Sequence, residues 1–365
     1  MRRGWAALLL LLVTTAAQAD AKPREIKVKG PWIAEHLLYF DKDVTLDQIE
    51  AQLPDVAARG VNILILEVDY AFEFRSHPEL RHTKNLITPK SAKHFVKACR
   101  KLGIRVIPQF QSFGHQSWAK DTWALLTRYP ELDSTPGAFP GNKDVYCREW
   151  DPMNPKVNEI VFALLDEIID AFDADGIHVG MDEIFLIGHE ASPSTKGKDP
   201  AEVYAKVVND LYGHIVTKRG RTMLMWGDRL IDAARYDYGE WESSKNGTWP
   251  AIDRIPKDIV ICDWHYEPRD SYPSVPMFLE KGFRVLPSSW KDVAASGAFI
   301  DYSLGLKQPA MLGHLFTSWS APSKLAQWPP LVEHGTRLRS GAGKAAALPA
   351  AAAPAASPAA APSAP

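Results

Sequence analysis

Cysteine is scarce in this chain. Its three copies, Cys99, Cys147 and Cys262, lack the spacing of a metal site, and an odd number permits at most one internal disulfide. Buried free thiols are the expectation. An excess of one charge is also absent: 42 Lys and Arg stand against 44 Asp and Glu, for a formal net charge of −2. That balance lacks the basic footprint of a nucleic-acid binder or of a protein drawn to an anionic membrane. There is no Gly-x-Ser-x-Gly elbow to carry a serine nucleophile. No glycine-rich phosphate loop follows the first apolar run, which disfavours an open dinucleotide-binding sheet. No close His/Asp/Glu ligand set is visible in the sequence, so neither a metal nor another cofactor is expected.

Long apolar runs are missing beyond the N-terminus. Arg2 and Arg3 precede an apolar stretch from Trp5 to Val13, and Ala17-Gln18-Ala19 follows. This pattern predicts a secretory signal over residues 1–19 and a secreted or periplasmic protein. No later segment is long enough to span a bilayer. From Gly341 to Pro365 the chain is almost entirely Ala, Pro, Ser and Gly, a composition that cannot bury a core and predicts a disordered tail. One folded domain is left, at about residues 25–340, a length that suits a (β/α)8 barrel.

Short apolar runs are plentiful, and they alternate with amphipathic stretches. Strands are predicted at Ile33–Phe40, Val61–Val68, Ile104–Phe110, Gly176–Met181, Thr222–Trp226, Ile259–Trp264, Phe283–Pro287 and Met311–Trp319. Helical patterns lie at Leu46–Arg59, Pro89–Leu102, Pro155–Phe172 and Pro200–Arg219, and helical signal is weak between the sixth and eighth strands. Several strands are continuously apolar, as strands covered on both faces are. Glycines at 60, 103, 220 and 282 follow helical segments, where a left-handed cap turns the chain into the next strand. The fold class is therefore α/β, a closed (β/α)8 TIM barrel, with an open doubly wound sheet as the alternative.

In such a barrel the working residues follow the strands' C-terminal ends. Collected there are Glu67, Asp69 and Tyr70; Gln109, Gln111, Gly114 and His115; Asp182 and Glu183; Trp226 and Asp228; Asp263, Trp264 and His265; Trp290 and Asp292; and Trp319. Twelve tryptophans are present, several at strand ends, and indole rings offer flat platforms for the C–H faces of sugars. The sharpest feature is Gly176-Ile-His-Val-Gly-Met-Asp-Glu183, in which an apolar strand carries two adjacent acids to its end. Consecutive strand residues point to opposite sides, so both acids can serve one ligand only where the strand stops and the chain turns. Sharing one desolvated space should drive their pKa values apart. His178 reads as a structural imidazole inside the strand.

These residues resemble glycoside hydrolase family 20, the β-N-acetylhexosaminidases. The family's fourth-strand motif, His-x-Gly-Gly-Asp-Glu, is matched by His178-Val-Gly-Met-Asp-Glu183, and its third-strand Pro-Glu-x-Asp-x-Pro-Gly-His by Pro108-Gln-Phe-Gln-Ser-Phe-Gly-His115. Asp69, Phe72 and His77-Pro-Glu-Leu80 match the region after strand two, and Trp319 the eighth strand. The resemblance implies retaining, substrate-assisted hydrolysis of a terminal N-acetylhexosamine in a glycan. Glu183 would be the acid and later the base, Asp182 would orient the 2-acetamido nucleophile, and His115 with Asp69 would tune Glu183. Trp226, Asp228, Trp264, Trp319 and Tyr70 would bind the sugar. Some groups differ: no arginine stands in Glu35–Asp41, Gln109 and Gln111 replace two acids, Met181 replaces a glycine, and Ala321 stands where a glutamate is expected. Those changes leave two other possibilities open, a non-catalytic glycan-binding barrel or a glycosidase for a sugar lacking the acetamido group.

Overall fold

The computed structural model of this chain describes residues 23–39, 44–319 and 324–340. The predicted signal segment, the Ala/Pro tail, Phe40 and Ala321 lie outside the described residues. All eight predicted strands form: β1 (Trp32–Leu38), β2 (Ile63–Glu67), β3 (Arg105–Ser112), β4 (Gly176–Gly180), β5 (Thr222–Trp226), β6 (Val260–Trp264), β7 (Arg284–Ser289) and β8 (Gly313–Thr317). They pair in parallel in chain order, and β8 returns to β1 to close the barrel. Among the described residues no helix is long and apolar enough to cross a membrane.

The apolar side chains divide into two cores. Ala34, Ile63, Ile65, Ile107, Leu224, Val260, Leu286 and Leu315 fill the barrel interior. Ile33, Leu37, Leu64, Val106, Ile177, Ile261 and Val285 face the surrounding helices. Burial on both faces is what made these strands read as unbroken apolar runs. Glu35 falls on the outer face between Ile33 and Leu37, fully buried, and neither carboxylate oxygen has a hydrogen-bond partner. Burial pushes it up to about 8. It therefore points away from the barrel interior and takes no part in gripping a ligand at the mouth.

Proline at the first helical turn and a polar cap just before it set the starts of the long helices. Thr88 caps Pro89–Lys101, Asn154 caps Pro155–Phe172 and Asp199 caps Pro200–Tyr212. The first predicted helix is split into Leu46–Glu50 and Leu53–Ala58, with Pro54 opening the second piece. The weak signal after strand six conceals one full helix, Val293–Gly305, capped by Asp292. Its alanines, Phe299, Ile300 and Leu304 are spread around the axis, so no apolar stripe marks it in the sequence.

Candidate active site

The strands' C-terminal ends open into a cavity of about 990 Å³. Asp69, Gln111, His115, Asp182, Glu183, Trp264 and Trp319 line it, together with Glu67, Trp118, Trp123, Tyr146, Trp241, Glu242, Tyr266 and Trp290. A cavity of this size walled by aromatic rings with a few convergent polar groups fits a small-molecule or sugar site.

The acid pair reaches the cavity because the chain turns sharply where β4 stops. Gly180, Met181 and Glu183 all have positive φ, at 70°, 76° and 50°. For the two non-glycine residues this costs about 1–3 kcal/mol each, and hydrogen bonds hold the turn. Tyr204 Oη donates to the Met181 carbonyl at 2.8 Å, and the Glu183 N–H donates to Asp228 Oδ2 at 2.9 Å. Glycine at 180 suits the positive φ and leaves room for Gln111: a Cβ there would lie 2.1 Å from Gln111 Oε1 and would displace that amide. A register shift in β3 between Gln109 and Ser112 brings that amide over the end of β4. Gln111 Nε2 then donates to Asp182 Oδ1 at 2.7 Å. Where the family resemblance leads one to expect an acid, this chain has a neutral donor.

His115 sits between the two acids. Its Nε2 is 3.3 Å from Asp182 Oδ2 and 3.0 Å from Glu183 Oε2. The ring is out of line for a hydrogen bond to either oxygen, so these are ion-pair contacts. Burial works against charging the imidazole, but Asp182 and Cys147 outweigh it and hold its pKa well above the ordinary value. Burial likewise works against ionising Asp182. His115 and the Gln111 amide outweigh that and hold its pKa below the usual carboxylate range. Two other acids of the cavity are shifted the opposite way: burial pushes Glu67 up to about 8 and raises Asp69. Asp182 and these two neighbouring acids are thus held on opposite sides of the ordinary carboxylate range. Glu67 Oε2 contacts His36 Nε2 at 3.0 Å and accepts from Gln109 Nε2 at 2.7 Å. Because burial lowers His36 to about 4, this pair is uncharged near neutrality.

Asp69, expected to tune Glu183, is turned toward the β3 backbone. Its carboxylate accepts the Gln111 N–H at 2.7 Å. The other nitrogen of the His115 imidazole, Nδ1, meets Cys147 Sγ at 3.2 Å. Cys147 belongs to a short segment that the sequence reading missed. Tyr146 stacks edge-on against His115, its hydroxyl held protonated by burial and by Glu183. Glu149 Oε1 accepts the N–H groups of Phe185 at 2.5 Å and Leu186 at 2.7 Å, pinning the loop after β4. Arg148 anchors the segment through Asp133. No local motif announces these residues; the long β3-to-β4 excursion brings them to the acids. All three cysteines are free and buried, as expected.

The predicted sugar-binding residues separate into two groups. Trp264 and Trp319 line the cavity. Trp226, Asp228 and Tyr70 do not. Trp226 is fully buried against His36, His178 and Trp319. Tyr70 spends its hydroxyl on Gln116 at 2.8 Å. Asp228 is buried and accepts three hydrogen bonds: from the Glu183 N–H, from Trp264 Nε1 at 3.2 Å and from Arg229 Nε at 2.6 Å. Its place is to hold Glu183 and Trp264. His178 is structural, its Nδ1 accepting the Gly180 N–H at 3.1 Å. The fold does assemble a possible ligand set, since one ligating atom each of His115, Asp182 and Glu183 lies within 4.8 Å of the others. Chain distance concealed it.

A parallel barrel with paired acids, an imidazole and ring platforms at its mouth defines the class: a barrel glycoside hydrolase. The chain belongs to glycosyl hydrolase family 20, whose catalytic-domain model matches residues 56–303. A lacto-N-biosidase of Bifidobacterium bifidum is 27% identical over 239 residues, which is 61% of this chain and 18% of that protein. A β-hexosaminidase of Emericella nidulans is 23% identical over 285 residues, 67% of this chain and 41% of that protein. The Flavobacterium johnsoniae chitobiase structure shares the fold, with a TM-score of 0.62 at 20% identity, covering 85% of this chain and 48% of that one. The chain thus spans less than half the length of each of these relatives.

Proposed function

We propose that this chain releases a terminal N-acetylhexosamine from a glycan by retaining, substrate-assisted hydrolysis. The observation that carries this reading is the contact of His115 Nε2 with both Asp182 and Glu183 inside one aromatic cavity. Glu183 protonates the departing glycosidic oxygen. The substrate's acetamido oxygen attacks the anomeric carbon, and a cyclic intermediate with positive charge near nitrogen forms. Asp182, held anionic by Gln111 and His115, faces that charge. Water then opens the intermediate as Glu183 takes the proton back. Release of nitrophenol from the N-acetylglucosaminide and N-acetylgalactosaminide tests this, with Glu183→Gln as control. Wild type should turn over at least one of them; equal inertness of both proteins across a broad glycoside panel would end the reading.

A second reading, a glycan-binding barrel without turnover, draws on the replaced groups: Gln109 and Gln111 for acids, and no arginine on β1. It predicts glycan binding with no release. The signal-like residues 1–19 support export to the periplasm or medium. Finding the full-length chain in the cytoplasmic fraction would overturn that.

A further inference from the structure

Among the cavity's acids that the proposed reaction does not use, one is built into a buried charge relay. Glu242 comes from the long excursion after β5 and lines the same cavity as Asp182 and Glu183. Its Oε2 accepts from His265 Nδ1 at 2.6 Å, and its Oε1 accepts the Tyr266 N–H at 3.2 Å. His265 Nε2 donates to Ser274 Oγ at 2.8 Å, and that hydroxyl donates to Asp263 Oδ2 at 2.7 Å. Asp263, His265 and Ser274 are completely buried. Tyr238 stacks on the imidazole at 4.0 Å, with Tyr272 and Phe299 closing around it. Glu242 is the acid of this cluster that meets the cavity, beside the Tyr238 ring.

We infer that Glu242 is the hydroxyl-reading anchor for the sugar, an inference that rests on the cavity being a sugar site. A carboxylate offers about four acceptor positions, and the structure fills two of them. Two remain for donors from a ligand, and neighbouring sugar hydroxyls supply a pair. Beside it, Trp241, Trp264 and Tyr266 provide ring faces for the apolar side of the same ligand. Burying His265 and Asp263 carries a desolvation penalty that apolar side chains would avoid. The relay fixes the rotamer of Glu242, so the acid is in place before the sugar arrives.

Calorimetric titration on the slow Glu183→Gln background separates binding from turnover. N-acetylglucosamine, N-acetylgalactosamine, glucose, galactose and their 4-deoxy and 6-deoxy forms are the probes. Adding Glu242→Ala should weaken the best parent sugar by about 10- to 100-fold. It should leave the deoxy form that lacks the contacted hydroxyl unchanged, erasing the discrimination between the two. Ser274→Ala, which loosens the relay without touching the cavity, should give a smaller loss of the same kind. Unchanged affinity in folded Glu242→Ala protein would overturn the inference, and so would failure of every probe to bind. A protein that binds sugar through Glu242 yet never cleaves one would sink the hydrolysis reading and leave this one standing.

Discussion

The two polar sides of the cavity are built differently. On the β3–β4 side, Gln111, His115, Asp182 and Glu183 come from two strand ends, and their side chains touch one another directly. On the β6 side, Glu242 comes from an excursion and reaches order through His265, Ser274 and Asp263, all hidden behind the wall. The first side places opposed charges where a bond can be broken. The second holds one acid still. A site that must do chemistry and also select a ligand can separate the two tasks in this way, and substitutions on each side should leave different kinetic signatures.

The largest effect should follow loss of the acid. Glu183→Gln should lower kcat by about 10²–10⁴-fold with little change in KM. Asp182→Asn should lower kcat by about 10²–10³-fold, because the developing positive charge loses its counter-ion. If either variant raised KM alone, the β3–β4 side would be a binding surface and the contrast with the β6 side would disappear.

Cys147 gives a finer test. Removing the thiol as Cys147→Ala takes a partner from His115 Nδ1 and should cost about fivefold in kcat. The His115 pKa, now held high, should fall, so the alkaline limb of the pH–rate profile moves to lower pH. Cys147→Ser, which keeps a donor and acceptor, should restore both. An unchanged profile in the alanine variant would make Cys147 mere packing.

The smallest effect concerns the β6 side and stability. Burial disfavours charging His265, yet Asp263 and Glu242 push it up to about 9 from an ordinary 6.5. A raised histidine value means stability that is complete below pH 6.5 and lost as pH climbs through about 9. The melting temperature of wild type should therefore drop across that window, and His265→Gln should flatten the drop. Equal slopes would remove the imidazolium from the account of this wall.

The barrel was legible because strands buried on both faces leave unbroken apolar runs, and because Gly60, Gly103, Gly220 and Gly282 mark helix ends with positive φ. The acid centre was legible because its members lie in contiguous strand-end motifs. Helix Val293–Gly305 stayed hidden for want of an apolar stripe. Tyr146, Cys147, Glu149 and Glu242 stayed hidden because each reaches the site on a loop, about thirty or more residues along the chain from its partner in several cases, with no local pattern to mark it. Asp228, Trp226 and Tyr70 stand at the right strand ends, but position alone could not show that backbone N–H groups, other rings or Gln116 already occupy them.

The most direct test is calorimetric titration of wild type and Asp182→Asn protein with N-acetylglucosamine-thiazoline, which mimics the cyclised intermediate. Wild type should bind it more tightly than N-acetylglucosamine, and Asp182→Asn should lose that advantage. A wild type that binds N-acetylglucosamine but not the thiazoline, or an asparagine variant that binds the thiazoline equally well, would contradict the claim that Asp182 and Glu183 form a working centre for acetamido-assisted cleavage.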